Sequence, residues 1–203
     1  MDYEQFLQFV KSRRSVRKFT NRRVTREQIE HLIETACWAP SNHNRQGWKF
    51  IIFDDVSVIK SLAAEARRIV GNSVAEGPGL SRQSADELVH FAGSFENAPV
   101  LILVLHKKSP AIGKQLLSRA TGPLASGEAI SAAMACQNLL LAAHAMGLGA
   151  CIMTAPLLAG SVWNSIKDLP LGFEPTCLIT VGYTDEIPPA PHRKKLEHVL
   201  EYR

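Results

Sequence analysis

Three guanidinium groups and a hydroxyl lie within five residues near the start of the chain, at Arg13, Arg14, Ser15 and Arg17 of Arg13-Arg14-Ser15-Val16-Arg17-Lys18-Phe19. Arginine forks are planar, permanently charged and able to grip a phosphate through two parallel hydrogen bonds. Arg13 and Arg17 are four apart, so in a helical turn they face the same way. A second polar group follows at Ala39-Pro40-Ser41-Asn42-His43-Asn44-Arg45-Gln46-Gly47-Trp48. Here Pro40 and Trp48 bracket small side chains that both donate and accept hydrogen bonds. A phosphate clamp and a polar loop together suit a phosphorylated small molecule with a polar ring. A basic pair by itself is more often a solvated charge run; the second group at a fixed distance weighs against that reading.

No side chain stands out as a catalyst. The sequence holds no His-Glu-x-x-His, no P-loop, no Gly-x-Ser-x-Gly and no metal-ligand spacing. Cys37, Cys136, Cys151 and Cys177 are far apart, with no Cys-x-x-Cys, and each sits in an apolar neighbourhood where cysteine serves as a small buried hydrophobe. A cofactor enzyme fits this absence, because the cofactor carries the chemistry and the protein supplies binding, orientation and electrostatics.

The elements that must hold these groups are legible from periodicity. Asp2 caps a first helix with Tyr3, Phe6, Leu7 and Val10 on its apolar face. Thr25-Arg26-Glu27-Gln28 is a capping box, and Ile29, Leu32, Ile33, Ala36 and Cys37 form the stripe of the helix it opens. Pro40 closes that helix, so the polar loop hangs from a rigid element. Residues 49–53, 100–105 and 176–183 read as strands, with Val100 to Leu105 apolar throughout and so covered on both faces. Helices are expected near 58–70, 85–93, 130–146 and from Ala155 to about Ile166, the last with Trp163 on its apolar side. Residues 71–80 read as a mobile loop, 107–127 are ambiguous, and the proline-rich tail carries His192 to Lys195. Ile130 to Met146 is apolar nearly all round, which marks a central, buried helix to which a subunit interface contributes. His144 on it reads as a hydrogen-bonded core histidine, and Trp48 as a packing anchor. Irregular alternation of helices and strands, with no repeat or linker, gives one α+β domain over residues 1–203, with a central mixed or antiparallel sheet covered by helices.

Arg-Arg-Ser-x-Arg-x-Phe followed by Ala-Pro-Ser-x-x-Asn-x-Gln-x-Trp resembles the nitroreductase family of FMN-dependent oxidoreductases, with Gly47 in place of the usual proline. The resemblance implies a homodimer with FMN sites at its interface. It implies that Arg13, Arg14, Ser15 and Arg17 hold the FMN phosphate and reach the pyrimidine edge, with Arg17 tuning the redox potential. Pro40, Ser41, Asn42 and Asn44 match the loop that meets the flavin of the other subunit. Ile152, Met153 and Thr154 match the block beside the reactive N5 edge, and Arg193 a basic tail residue that closes on the phosphate. The family's ribityl-binding asparagine has no match in His90-Phe91-Ala92-Gly93-Ser94. The implied reaction is ping-pong, with NADH or NADPH as donor and nitroaromatics, quinones or free flavins as acceptors. Segments 71–80 and 107–127 are then the expected specificity elements.

Composition is compatible with this. The chain has 203 residues, 46% hydrophobic and 21% charged, with a net charge of +4 and an isoelectric point near 9.0. The basic residues are not interleaved with aromatics as a single-strand nucleic-acid binder requires, so no nucleic-acid partner is expected. Met1 to Glu4 shows no signal-peptide pattern and no apolar run reaches membrane-spanning length, so a cytoplasmic protein without a membrane partner is expected. Rival readings are a specialised member of the same fold (flavin-fragmenting, dehalogenating or azoline-oxidising), a non-catalytic FMN-binding protein, and a nucleic-acid-binding domain with steep salt dependence.

Overall fold

The computed structural model of the chain describes residues 1–77, 79, 81–108, 126–167 and 169–203. In chain order it shows α1 (Tyr3–Ser12), α2 (Arg26–Cys37), β1 (Trp48–Phe53), α3 (Val56–Glu76), α4 (Arg82–Ala92), β2 (Val100–Lys107), α5 (Gly127–Ala145), β3 (Gly149–Met153), α6 (Gly160–Asn164) and β4 (Phe173–Gly182). Short 3₁₀ turns occupy Asn42–Asn44, Ala155–Leu158 and Leu196–His198. Both capping signals in the sequence form. Asp2 Oδ1 accepts from Gln5 N at 2.8 Å while Gln5 Oε1 accepts from Asp2 N at 3.0 Å. The Thr25 hydroxyl and Gln28 amide exchange the same pair of bonds at the start of α2. Each reciprocal pair satisfies donors that a helix N-terminus otherwise leaves unpaired.

The four strands form one sheet in the order β1-β2-β4-β3, every neighbouring pair antiparallel. β2 is buried from Val100 to His106, and its period-2 geometry divides that burial between two cores. Val100, Ile102 and Val104 face α2 and α5 with Trp48, Leu32, Ala135 and Leu139. Leu101, Leu103 and Leu105 face α3 and α6 with Ile59, Ala63, Phe95 and Trp163. Two-sided burial explains the unbroken apolar run, where a half-solvated strand would alternate. Between β2 and β4 the register slips after Val104, which pairs with Cys177 while Leu105 pairs with Pro175. A bulge is where a strand tolerates a proline that cannot donate to the ladder.

α5 is central as expected, with Ala132, Ala135, Cys136, Leu139 and Ala143 fully buried. Several expectations need correction. α3 continues to Glu76, so most of the segment 71–80 is helix, not loop. The α2 helix ends at Cys37, three residues before Pro40, and Cys37 itself is exposed. α1 buries no residue within this chain, with Tyr3 at 71% exposure. The ambiguous segment 107–127 falls, from 109 to 125, outside the described residues.

After α1 the backbone turns extended at Arg13 (φ −60°, ψ 138°) and lays residues 14–16 along β3 as a strap. Ser15 forms a parallel bridge with Ala150, and Val16 N–H donates to Ala150 O at 3.0 Å. Gly149 makes this approach possible: a Cβ there would lie 2.7 Å from Val16 Cγ1 and 2.8 Å from Val16 Cβ, closer than real contacts. The strap then runs on to the end of β4. Thr20 N donates to Tyr183 O at 2.8 Å, Gln28 Nε2 donates to Tyr183 Oη at 2.8 Å, and the Arg22 guanidinium lies 3.8 Å from the Tyr183 ring centre. Gly149→Ala should therefore force the strap off β3 and destabilise the protein by about 1–3 kcal/mol, the usual cost of overpacking; urea unfolding would detect it, and a wild-type midpoint would contradict the account.

Candidate functional site

The strap brings the arginine cluster against β3. Ser15 and Arg17 lie beside Cys151, which is 1% exposed on β3. Burial pushes the Cys151 thiol up, and the positive charges of Arg17 and Arg13 and a hydrogen bond from Ser15 only partly oppose it. The thiol therefore stays protonated and is not a nucleophile. From the same strand end Ile152 (40% exposed) and Thr154 face outward, while Met153 points into the core. Ser15 thus lies at Ala150 near the start of β3, while Ile152 and Thr154 face outward at the strand's far end.

The strap's electrostatics favour an anion. Among the described residues no carboxylate pairs with Arg13, Arg14 or Arg17. Arg14 holds its own helix end, Nη1 donating to Lys11 O at 2.6 Å and to Arg13 O at 2.8 Å. Its Nε–H is buried with no partner, which costs about 1–3 kcal/mol when left unsatisfied. Guanidinium groups with no carboxylate partner among the described residues, and an orphaned buried donor, are what a phosphate dianion would neutralise. A cavity of about 450 Å³ opens here, lined by Arg13, Arg14, His144 and Thr184 among others.

The polar loop lies elsewhere. Asn42 N donates to Ser131 Oγ at 3.0 Å, and Ser131 in turn donates to Gly127 O at 2.6 Å. Gly127 lies so close that a Cβ on it would come within 2.9 Å of Asn42 Nδ2. Arg45 reaches buried Glu128 at 3.7 Å. The loop is thus seated on the first turn of α5, whereas the arginine strap meets α5 at His144, near its last turn. Thirteen residues of helix separate the two anchor points, or about 20 Å. Within one chain, Pro40, Ser41, Asn42 and Asn44 are not brought to the arginine cluster. Arg193 stands exposed in the tail, with no hydrogen bond or ion pair to the strap among the described residues.

The loop is strained. His43 (φ 50°), Asn44 (φ 51°) and Gln46 (φ 48°) all adopt left-handed backbone, which costs of order 1 kcal/mol or more for a side chain with a Cβ. Such strain persists only where surrounding contacts over-determine it, here Ser131 and the Ser41 hydroxyl, which accepts from Gln46 N at 3.0 Å. These supports on α5 carried no sequence signal, because nothing in spacing links Ser131 or Glu128 to a loop about ninety residues earlier. The Ser12–His144 contact was equally hidden, although His144 itself was marked as a hydrogen-bonded histidine. Ser94, whose hydroxyl lies 3.7 Å from Met153 Sδ, is the polar side chain that the 85–95 segment brings to the β3 end.

Gly47 is firmly seated. It is buried, its carbonyl accepts from Lys107 N at 2.7 Å, and an added Cβ would meet only ordinary contacts at 3.5 and 3.6 Å. The obstacle to proline is the residue before it, because proline pushes its predecessor to extended backbone and Gln46 is left-handed. Gly47→Pro should destabilise the protein by about 1–3 kcal/mol, measured as a fall in thermal midpoint; an unchanged or raised midpoint would show that the loop does not need this conformation.

Residues 10–183 match the profile of the nitroreductase family. The chain is 29% identical over 188 residues to an iodotyrosine deiodinase of Haliscomenobacter hydrossis, covering 90% of this chain and 80% of that one. It is 27% identical over 217 residues to a Streptococcus pyogenes protein assigned provisionally by name to the NAD(P)H nitroreductases, covering 98% and 100%. Its fold superposes on a BluB-like flavoprotein from Clostridium difficile with a TM-score of 0.83 at 23% identity, covering 100% and 99%. It superposes on a nitroreductase with bound FMN from Desulfitobacterium hafniense with a TM-score of 0.71 at 21% identity, covering 100% of both chains. With its order of elements, its antiparallel sheet and a profile match over most of its length, the chain belongs to the nitroreductase family.

Proposed function

We propose that this protein is an FMN-dependent oxidoreductase that takes electrons from NADH or NADPH and passes them to a nitroaromatic, quinone or related small acceptor in a ping-pong cycle. The observation that carries the reading is the strap: guanidinium groups without carboxylate partners among the described residues, fixed by a backbone bond to β3 at Ala150. The FMN bound by a relative of the same fold, and the NAD(P)H nitroreductase name of another, support cofactor and donor.

When bound, FMN would supply the redox chemistry between nicotinamide and acceptor. The rest falls to this chain's residues. Arg13, Arg14 and Ser15 would hold the phosphate, the two arginines as charge-assisted donors and Ser15 through its hydroxyl. Arg17 would place a fixed positive charge near the ring and so would favour the electron-rich reduced cofactor. Ile152, Met153 and Thr154 offer backbone donors and an apolar wall at the strand end, and Arg193 of the tail would add a further charge.

A complete site in this reading needs two copies of the chain, acting as a homodimer of single-domain subunits. The loop of Pro40, Ser41, Asn42 and Asn44 sits about 20 Å from the strap along α5, so one copy's loop would complete the other copy's site. An apolar face is available for pairing. Trp38 is 83% exposed beside Phe6, at a groove of about 530 Å³ between α1, the end of α2 and α5. The burial that α1 lacks within one chain would come from the second.

A second reading has its own support. The deiodinase relative suggests reductive removal of halogen from an aromatic amino acid on the same FMN platform; iodide release from 3-iodotyrosine under reducing conditions, outpacing nitro or quinone reduction, would select it. For the main reading, Arg13→Ala and Arg17→Ala should each weaken FMN binding about 10- to 100-fold, the range expected for a charge-assisted contact. Quenching of flavin fluorescence on titration measures this, and undiminished affinity in both variants would remove the strap from the site.

A further inference from the structure

The end of α1, from which the strap departs, is pinned by a residue that the reaction does not use. His144, on the last turn of α5, has Nε2 2.7 Å from Ser12 Oγ. Ser12 Oγ also lies 2.8 Å from Phe9 O, and a carbonyl can only accept. The hydroxyl hydrogen therefore goes to Phe9 O, and His144 must donate, which fixes the ring as the Nε2–H tautomer. Phe9 packs on the same ring, centroids 5.0 Å apart. Ser12 is the last helical residue and Arg13 the cap that follows it. The imidazole thus holds the point where the chain turns from helix to strap, while Arg14 holds the same turn from its other side through Lys11 O and Arg13 O.

We infer that His144 is a proton-coupled positioning residue for the anion site: through Ser12 it sets where Arg13 and Arg14 stand, and an anion bound there favours its protonation. This rests on the reading of the strap as a phosphate site. The charged groups acting on His144 are Arg13 and Arg14, and both, after burial, hold it below the ordinary histidine range. The other neighbours lining the shared cavity, Gly147 and Leu148 after α5 and Thr184 and Ile187 of the tail, carry no charge. With the cavity free of anion, His144 is neutral at pH 7 and only donates to Ser12. A phosphate against the two arginines offsets their repulsion, so His144 gains a proton more readily in the bound state. By linkage, lowering the pH toward the histidine range strengthens anion binding through this residue. Imidazolium keeps its Nε2–H, so the bond to Ser12 survives the change.

The test uses the full-length protein and two readouts. In the first, nitrogen-detected NMR follows the His144 ring, assigned by its loss in His144→Gln, as pH is varied with and without inorganic phosphate. The expected result is the Nε2–H tautomer and a titration midpoint that rises on adding phosphate. In the second, FMN dissociation constants are compared from pH 5.5 to 8.5. His144→Gln keeps a donor for Ser12 and should bind within about threefold of wild type at pH 8, but without the histidine component of the pH profile. Ser12→Ala and His144→Leu lose the bond and should bind about tenfold more weakly, in line with one lost hydrogen bond. A midpoint unmoved by phosphate, or His144→Leu with wild-type affinity and pH profile, would overturn the inference. A wild-type protein that fails to bind FMN would instead defeat the flavin reading, and the phosphate titration would then decide the role of His144.

Discussion

The hydrogen bond from Val16 N–H to Ala150 O, made possible by the bare face of Gly149, is the contact on which the arrangement depends. It turns a basic stretch that would otherwise be a solvated arm into a strap joined by a parallel bridge to the edge of the sheet. Ser15 is thereby placed at Ala150 of β3, with Arg17 two residues further along the strap. A side chain at position 149 would separate these elements by more than packing can absorb. The contact also explains why the arginine cluster precedes β3 by well over a hundred residues and yet lies against it.

α5 then acts as a ruler. Its first turn seats the strained loop through Ser131, Gly127 and Glu128, and its last turn seats the strap through His144. A buried helix packed by alanine and leucine is stiff, so the two polar groups are held at a fixed separation of about 20 Å. That distance exceeds what one small ligand spans. The proposed pairing of two chains follows from this geometry, and from the exposed apolar face of α1 and Trp38.

Much of this was legible in the chain. The capping boxes at Asp2 and Thr25, the two-sided burial of Val100 to Leu105 and the central place of α5 follow from local rules that act over a few residues. The polar clusters were visible as clusters. What escaped depends on long-range packing. The extension of α3 to Glu76 overrides Gly71, because Val70 and its neighbours bury against the second core. The solvent exposure of α1 contradicts a clean amphipathic stripe, because the described residues cover it only in part, at Phe9 and Ser12 against His144. The left-handed residues of the loop are His43, Asn44 and Gln46; only the asparagine gives a hint of that conformation, since strain of this kind is imposed from outside the segment.

The central claim is that the strap and the end of β3 form an FMN site open to a nicotinamide. The direct measurement is an anaerobic visible spectrum of the purified protein, reconstituted with FMN where needed, before and after addition of NADH or NADPH. The account predicts bound oxidised-flavin bands that bleach rapidly with one or both nucleotides and return on adding quinone or a nitroaromatic. A colourless protein that FMN cannot reconstitute would contradict the site, and bound flavin that neither nucleotide reduces would contradict the proposed electron donor.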